Sequence, residues 1–324
     1  MLRRLATLAL LLSAGCALAQ GSPGTWPERP IKLVVPYTAG GQFDVVARMV
    51  AERMGQRLGQ PVVVENRPGG ATVPGADFVA KSRPDGYTLF YAGANAFAIA
   101  PHLNARMPYQ RGDFQTISLV SELPMGLVVN ASVPARTLEE FVAYVKANPG
   151  KVNFGTSGEA GAQHLLCELV KDRAGIDMQH VGYKGTAQVL QDLIPNRVNA
   201  ACDGLLAYVP HQKSGALRIL AVSSSQRLPA LPDVPTFGER GMKDATVSAW
   251  GGIVAPAGIP AAARQKLNEA VVAAVNSPEV RQRITADAAV PRSSTPEEFD
   301  ALIAADHDKW GGVIRKLGLA GSVK

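Results

Sequence analysis

Side chains that could do covalent or metal chemistry are few and scattered in this sequence. None of the histidines stands in a spacing with cysteine or another histidine that is typical of a zinc site. The five histidines are His102, His164, His180, His211 and His307. Ser157 lies in a Gly-Thr-Ser-Gly-Glu string, but Glu159 stands where a hydrolase nucleophile elbow needs glycine. We therefore expect no bound metal and no catalytic nucleophile.

Cofactor motifs are missing as well. Neither the GxGxxG pattern of dinucleotide sites nor the GxxxxGK[ST] pattern of nucleotide-phosphate sites occurs in the 324 residues. Glycine-rich loops remain at residues 38–41, 67–70 and 155–158, each before a predicted helix. Backbone N–H groups at helix N-termini suit carboxylates and other small anions. The sequence thus favours a binding protein without a cofactor over an enzyme, with tight turns that bind nothing as the alternative for each loop.

The predicted elements that carry these loops alternate between strand and helix. Ile31–Val35, residues 61–65 and residues 87–91 are predicted strands, and a helix over residues 44–58 separates the first two. A shorter helix should end near Ser82. Since no hairpin signal separates them, we expect a parallel sheet covered on both faces. Ligands bind such sheets at the carboxyl ends of the strands, which is where the glycine-rich loops fall.

The second half of the chain continues the pattern. Thr137 and Glu140 form a capping box that predicts a helix start. A strand over residues 152–154 precedes the third glycine-rich loop, a helix should begin near Gly161, and Leu217–Val222 is another predicted strand. A composition of 47% hydrophobic and 19% charged residues is that of a folded protein, and its length fits about two domains.

The first 19 residues resemble a secretory leader. Arg3 and Arg4 precede an apolar stretch, and small residues end at Ala19, so cleavage there would deliver a periplasmic protein. Lipidation at Cys16 is the alternative, because the preceding residues form a weak lipobox. Without the two leader arginines, the net charge falls from +6 to about +4. This weak and evenly spread charge argues against a nucleic-acid partner.

Two cysteines, Cys167 and Cys202, remain after removal of the leader. An even pair in an oxidising compartment is a candidate disulfide. Two buried free thiols are the alternative that the sequence leaves open.

Several strings resemble the Bug (TctC-like) family, the extracytoplasmic receptors of tripartite tricarboxylate transporters. The first runs from Pro36 to Asp44 and is followed by Ala47-Arg48. The second joins Val64 to Gly69 with Pro84 to Leu89. Others follow in order: Asp113-Phe114, Gly155 to Gly158 with His164-Leu165, Tyr183-Lys184-Gly185, Leu231 to Thr236 and Ala255 to Gly258. The resemblance covers nearly the whole chain after the leader.

This resemblance implies an α/β fold of the two-domain periplasmic binding protein type (type II-like). Each domain would be a mainly parallel sheet flanked by helices, and crossover strands would join the two. After the signal peptide of residues 1–19, domain I would begin with residues 20–124, domain II would comprise residues 125–249, and residues 250–324 would return to domain I. The protein would be a monomer that captures a small carboxylate and delivers it to a membrane permease.

The ligand would be a di- or tricarboxylate, an aromatic carboxylate or an acidic amino acid. The residues that the resemblance assigns to its site are Tyr37, Thr38, Ala39, Gly40, Gly41, Gln42, Phe43, Asp44, Gly70, Ala71, Thr72, Thr156, Ser157, His164, Lys184 and Asp203. A carboxylate sensor that docks a signalling kinase is one alternative function, and a periplasmic α/β enzyme is another.

Three of these residues have two interpretations each. Phe43 stands where the family commonly has a smaller residue, and it would pack either against the ligand or under its own loop. Lys184 would attract an anionic ligand or face solvent. Asp203 would accept a hydrogen bond from an amine or cap a helix N-terminus, and we expect the cap.

Overall fold

The computed structural model describes residues 26–69, 72–157, 161–286, 288–316 and 318–322, without the side chains of Gln42 and Ser248. The predicted leader, with Cys16 and the cleavage site after Ala19, lies outside the described residues. None of the helices in the described ranges is long and apolar enough to span a membrane.

In the described residues, ten strands form one mixed sheet with the order β2-β1-β3-β9-β4-β7-β5-β6, and β8 and β10 also pair with β4. The strands are β1 (Ile31–Val35), β2 (Val62–Asn66), β3 (Thr88–Gly93), β4 (Phe114–Asn130), β5 (Asn153–Thr156), β6 (Gln179–Gly182), β7 (Ala200–Gly204), β8 (Leu217–Val222), β9 (Ser248–Pro256) and β10 (Val290–Pro291).

Helices cover both faces of this sheet. They are α1 (Gln42–Leu58), α2 (Val73–Ala80), α3 (Ala100–Leu103), α4 (Leu138–Ala147), α5 (Ala162–Ala174), α6 (Thr186–Leu193), α7 (Val209–Lys213), α8 (Ala261–Val275), α9 (Pro278–Ala286) and α10 (Pro296–Lys316), and a π-helix at Asn95–Ile99 precedes α3. On α1, an apolar stripe of Val46, Val50 and Met54 is buried, as its helical spacing requires.

Two groups of parallel strands confirm the predicted α/β fold. Strands β1, β2 and β3 run parallel to one another, and so do β5, β6 and β7. Strands β4 and β9 lie between the groups and run antiparallel to their neighbours. The sheet as a whole is therefore mixed, although the strands on either side of the crossovers are parallel.

Strand β4 changes partners along its length. Residues 114–124 pair with β9, whereas residues 125–130 pair with β7 and β8. We call β1 to β3, β9 and residues 114–124 the first half of the sheet, and β5 to β8 with residues 125–130 the second half. The last residue of β3 pairs with Gly251 of β9, and Gly251 also pairs with Ser121 of β4. The last residue of β7 pairs with Met125 of β4. The carboxyl ends of both parallel groups therefore meet near residues 121–125.

Each half has apolar cores on its two faces, and helix α10 contributes to both halves. Phe299 and Ile303 near its start pack in a first-half core with Trp250 of β9. Trp310 and Ile314, further along the helix, pack in a core with second-half strands and helices. The last long helix thus ties the two halves together.

The predicted disulfide is confirmed. Cys167 on α5 and Cys202 on β7 are bonded, with their Cα atoms 5.7 Å apart. Both residues are fully buried in a second-half core. The bond therefore attaches a covering helix to the strand that pairs with β4.

Replacing both cysteines with alanine should lower the free energy of unfolding by about 4 kcal/mol, because the bond closes a loop over a sequence separation of 35 residues. Denaturant unfolding of the oxidised protein and of the double variant measures this loss. A reductant should destabilise the wild type and leave the variant unchanged. Equal unfolding free energies for the oxidised and reduced wild type would contradict the prediction.

Candidate functional site

Four helices begin at the carboxyl ends of parallel strands: α1 after β1, α2 after β2, α5 after β5 and α6 after β6. The residues before them are Gly41, Thr72, Gly161 and Gly185, and none of these residues caps its helix with a side-chain hydrogen bond. Helix α4 differs, because the Thr137 hydroxyl accepts the Glu140 N–H. Thr295 caps α10 in the same way. In the described residues, the Gln188 N–H of α6 donates to the Gly185 carbonyl, and Pro74 of α2 has no N–H. The other first-turn N–H groups of these helices are suited to another acceptor.

Asp44 holds the loop before α1 in place. Its carboxylate is 1% exposed and accepts hydrogen bonds from the Gly40 N–H (2.8 Å), from Asn66 Nδ2 (2.7 Å) and from Arg48 Nε (2.9 Å). Burial raises the pKa of Asp44, but these hydrogen bonds and the Arg48 charge outweigh it and lower the pKa overall. Asp44 therefore shapes the loop, and its bonds are made within the protein.

The tip of this loop is exposed. Thr38, Ala39 and Gly40 are all exposed, and Gly41 is half-buried. Gly40 has a φ of 81°, a left-handed conformation that glycine adopts without strain. The backbone of the predicted contact residues is thus open at the level where the strands end, whereas the side chain of Gln42 lies outside the described part.

Phe43 packs under its own loop. Its ring stacks on Tyr37, with centroids 4.4 Å apart, and meets the edge of Tyr91 at 5.9 Å. The Tyr37 hydroxyl lies over Gly93, where an added Cβ would be only 2.5 Å away. Burial raises the pKa of Tyr37, so its phenol stays protonated. This packing favours the second interpretation of Phe43, in which the ring supports the loop.

In the loop before α2, residues 67–69 and Thr72 are described, whereas Gly70 and Ala71 lie outside the described residues. Thr72 has a φ of 76°, an unusual conformation for a β-branched residue. It is 4% exposed, and its hydroxyl has no hydrogen-bond partner among the residues that the structure describes. Backbone strain of this kind is often found where a protein contacts a ligand.

Asp203 connects the loops of the second half. It is 2% exposed and accepts hydrogen bonds from Ser157 Oγ (2.7 Å), the Gly204 N–H (2.8 Å) and the Tyr208 hydroxyl (3.0 Å). The Thr186 side chain at the start of α6 bonds it as well. Burial raises the pKa of Asp203, and the four hydrogen bonds oppose that rise. The helix-cap prediction for Asp203 is wrong, because the carboxylate binds side chains from several loops instead of the N–H groups of a helix start.

Thr156 ends β5, and His164 lies in the first turn of α5. Thr156 is fully buried, with its hydroxyl 2.7 Å from His180 Nε2. The His164 ring stacks on His180 at 3.8 Å, and its Nε2 is 3.7 Å from Glu168. Burial, with smaller electrostatic effects of His164 and Lys171, lowers the pKa of His180 to about 4. His180 is therefore uncharged at neutral pH.

Lys184 is exposed, and its backbone N–H donates to Gln188 Oε1 at 3.0 Å. This position is consistent with the solvent-facing interpretation. Within the described ranges, no group of three or more histidine, cysteine, aspartate or glutamate side chains is placed to hold a metal ion.

The structure brings the predicted residues together in two clusters, one of Tyr37, Phe43 and Asp44 and the other of Ser157 and Asp203. Sequence reasoning missed several residues that contact the predicted site residues. They are Arg48, Asn66, Tyr91, His180, Thr186 and Tyr208. Arg48 and Asn66 lie inside the strings quoted above, so a search for donors near Asp44 could have found them.

The model of the tripartite tricarboxylate transporter family receptor matches residues 46–319. Protein BugT of Bordetella pertussis is 36% identical over 320 residues, which is 98% of each chain. The structure of Rpa4515 of R. palustris with adipate is similar with a TM-score of 0.82 and 31% identity, over 91% of this chain and 99% of that one. MatC of Rhodopseudomonas palustris with bound malate gives a TM-score of 0.77 and 31% identity, over 89% and 100%.

Asp44→Ala should lower the free energy of unfolding by about 2 to 3 kcal/mol, because it removes a buried acceptor of three hydrogen bonds. Glu269→Ala is the matched control, since Glu269 forms an exposed ion pair with Arg57 and an exposed hydrogen bond with Gln265, so its loss should cost less than about 1 kcal/mol. Denaturant unfolding measures both losses. Equal losses would show that Asp44 has no special role in the loop.

Acid should destabilise the fold through His180. An unfolded histidine protonates near pH 6.5, while the pKa of His180 in the folded protein is about 4. Between these values the unfolded chain binds more protons, so stability falls as the pH falls. His180→Gln keeps a polar partner for Thr156 but does not titrate. Unfolding free energies from about pH 7 to about pH 5 should decline more steeply for the wild type, and parallel curves would refute this.

Proposed function

Because the chain belongs to the tripartite tricarboxylate transporter receptor family, we propose that it is an extracytoplasmic receptor that captures a small carboxylate and delivers it to the permease of such a transporter. Its relatives are binding proteins, and the chain is a binding protein rather than an enzyme. Capture would be reversible, with no chemical step.

The four uncapped helix starts carry this proposal. Helices α1 and α2 begin beside the first half of the sheet, and α5 and α6 beside the second. Their first-turn N–H groups carry partial positive charge and favour an anion. A ligand with carboxylates at both ends would therefore find donors in each half.

Two lobes would enclose the ligand, the first formed by residues 20–124 and 250–324 and the second by residues 125–249. The change of partner in β4 after residue 124 supports this division. Helix α10 packs into cores of both halves, so we expect only a small closing movement.

Dicarboxylates are the ligand class that we propose first. Rpa4515 and MatC are similar to this chain over most of its length, and their structures hold adipate and malate. Aromatic carboxylates, tricarboxylates and acidic amino acids are the other ligands that we propose. The receptor that we propose is a periplasmic monomer, either free after cleavage following Ala19 or tethered through Cys16.

A ligand screen tests the carboxylate class. Succinate, malate, citrate, glutamate and benzoate are compared with glucose and arginine in a thermal-shift assay, and hits are measured by calorimetry. At least one carboxylate should raise the melting temperature by mass action, while glucose and arginine should not. Stabilisation by glucose or arginine alone would contradict the proposal.

Gly41→Asp tests the site itself. An aspartate there would cap α1 and place a negative charge where the ligand carboxylate should bind. Affinity should fall by at least about tenfold while the unfolding free energy stays equal or rises. Thr137→Asp is the matched control, because it puts the same charge on the capped start of α4. Unchanged affinity in Gly41→Asp would show that the start of α1 does not bind the ligand carboxylate.

A further inference from the structure

The direction of the hydrogen bond between Ser157 and Asp203 limits which ligand groups can bind in the second half of the sheet. Ser157 follows β5 directly, at the level where the strands end, and is half-buried. Its hydroxyl lies 2.7 Å from Oδ1 of Asp203. A serine hydroxyl has one proton and two lone pairs, so the partner that takes the proton decides how the oxygen meets a ligand.

Asp203 takes that proton. Four donors converge on its carboxyl group, from Ser157, Thr186, Gly204 and Tyr208. The Gly204 N–H can only donate, so the Oδ1 atom that Gly204 and Ser157 share acts as an acceptor. Ser157 therefore donates inward, and its oxygen acts toward the ligand as an acceptor.

The lone pairs of Ser157 decide which ligand groups can bind beside it. A second ligand carboxylate would meet only lone pairs there, while a hydroxyl or ammonium group would meet a hydrogen-bond acceptor.

We propose that Ser157, oriented by Asp203, selects carboxylates that carry a hydrogen-bond donor next to the carboxyl group, namely hydroxy or amino acids, over the same chain without the donor. The inference rests on the proposed receptor function. The carboxylate would bind the N–H groups at the starts of α5 and α6, and its neighbouring donor would reach Ser157. Ser157 is then a specificity residue, and Asp203 is a positioning residue that acts through it.

Three ligands with the same four-carbon chain test in the wild-type protein whether a donor beside the carboxylate increases affinity. Malate and aspartate carry a hydroxyl or an ammonium group beside a carboxylate, and succinate carries neither. By calorimetry, at least one of the first two should bind about tenfold or more tightly than succinate, because a site built around a donor rejects the analogue that lacks it. Succinate binding as tightly as both would overturn the inference but leave the carboxylate receptor intact. If no carboxylate binds, the proposed function fails instead.

Two serine-to-alanine variants then test whether Ser157 causes the selectivity. In Ser157→Ala the affinities for malate and aspartate should fall to that for succinate, which should stay within about twofold of its wild-type value. Ser132→Ala is the matched control. Ser132 also donates to a side-chain oxygen, that of Asn130, which lies at the end of β4 far from residues 121–125. It should leave the affinity ratios unchanged. Ratios that persist in Ser157→Ala would overturn the inference, and the wild-type comparison holds even if that variant does not fold.

Discussion

The antiparallel pairing of β4 with β9 is the constraint on which the rest of the structure depends. These strands separate the two parallel groups, and β4 continues from one half of the sheet into the other. Their register sets the level at which β3 and β7 end, and therefore where the loops of the two halves gather. Glycines serve this register, because a side chain at Gly93 or Gly251 would collide with a tyrosine hydroxyl. The site is thus located by strand pairing before any ligand is considered.

Buried carboxylates and helix starts have different roles near the ends of these strands. Asp44 and Asp203 are buried, and each is bonded by several donors, so they hold loops in shape. The four helix starts nearby have no side-chain cap, although Thr137 and Thr295 show that the chain caps helices elsewhere. Glycine in place of a capping side chain costs on the order of a few tenths of a kcal/mol, so such omissions at one place fit a binding surface better than a stability requirement.

Local patterns predicted much of this architecture. Strand Ile31–Val35 and strand Leu217–Val222 are found with the expected bounds, and α1 begins only two residues before the predicted start at residue 44. Strand β9 was not predicted, since it contains two consecutive glycines and its partners in β4 lie more than a hundred residues away. For the same reason the role of Asp203 could not be read from the sequence. Its donors come from three different loops, and only the folded chain brings them together.

Helix α10 has a consequence for how the chain folds. It is the last long element, yet it supplies Trp310 to one core and Phe299 to another, and Thr116 bonds Asp300 over 184 residues of sequence. Contacts that distant close large loops and slow folding. Neither half completes its cores until nearly the whole chain is available, so the protein remains incompletely folded throughout its synthesis.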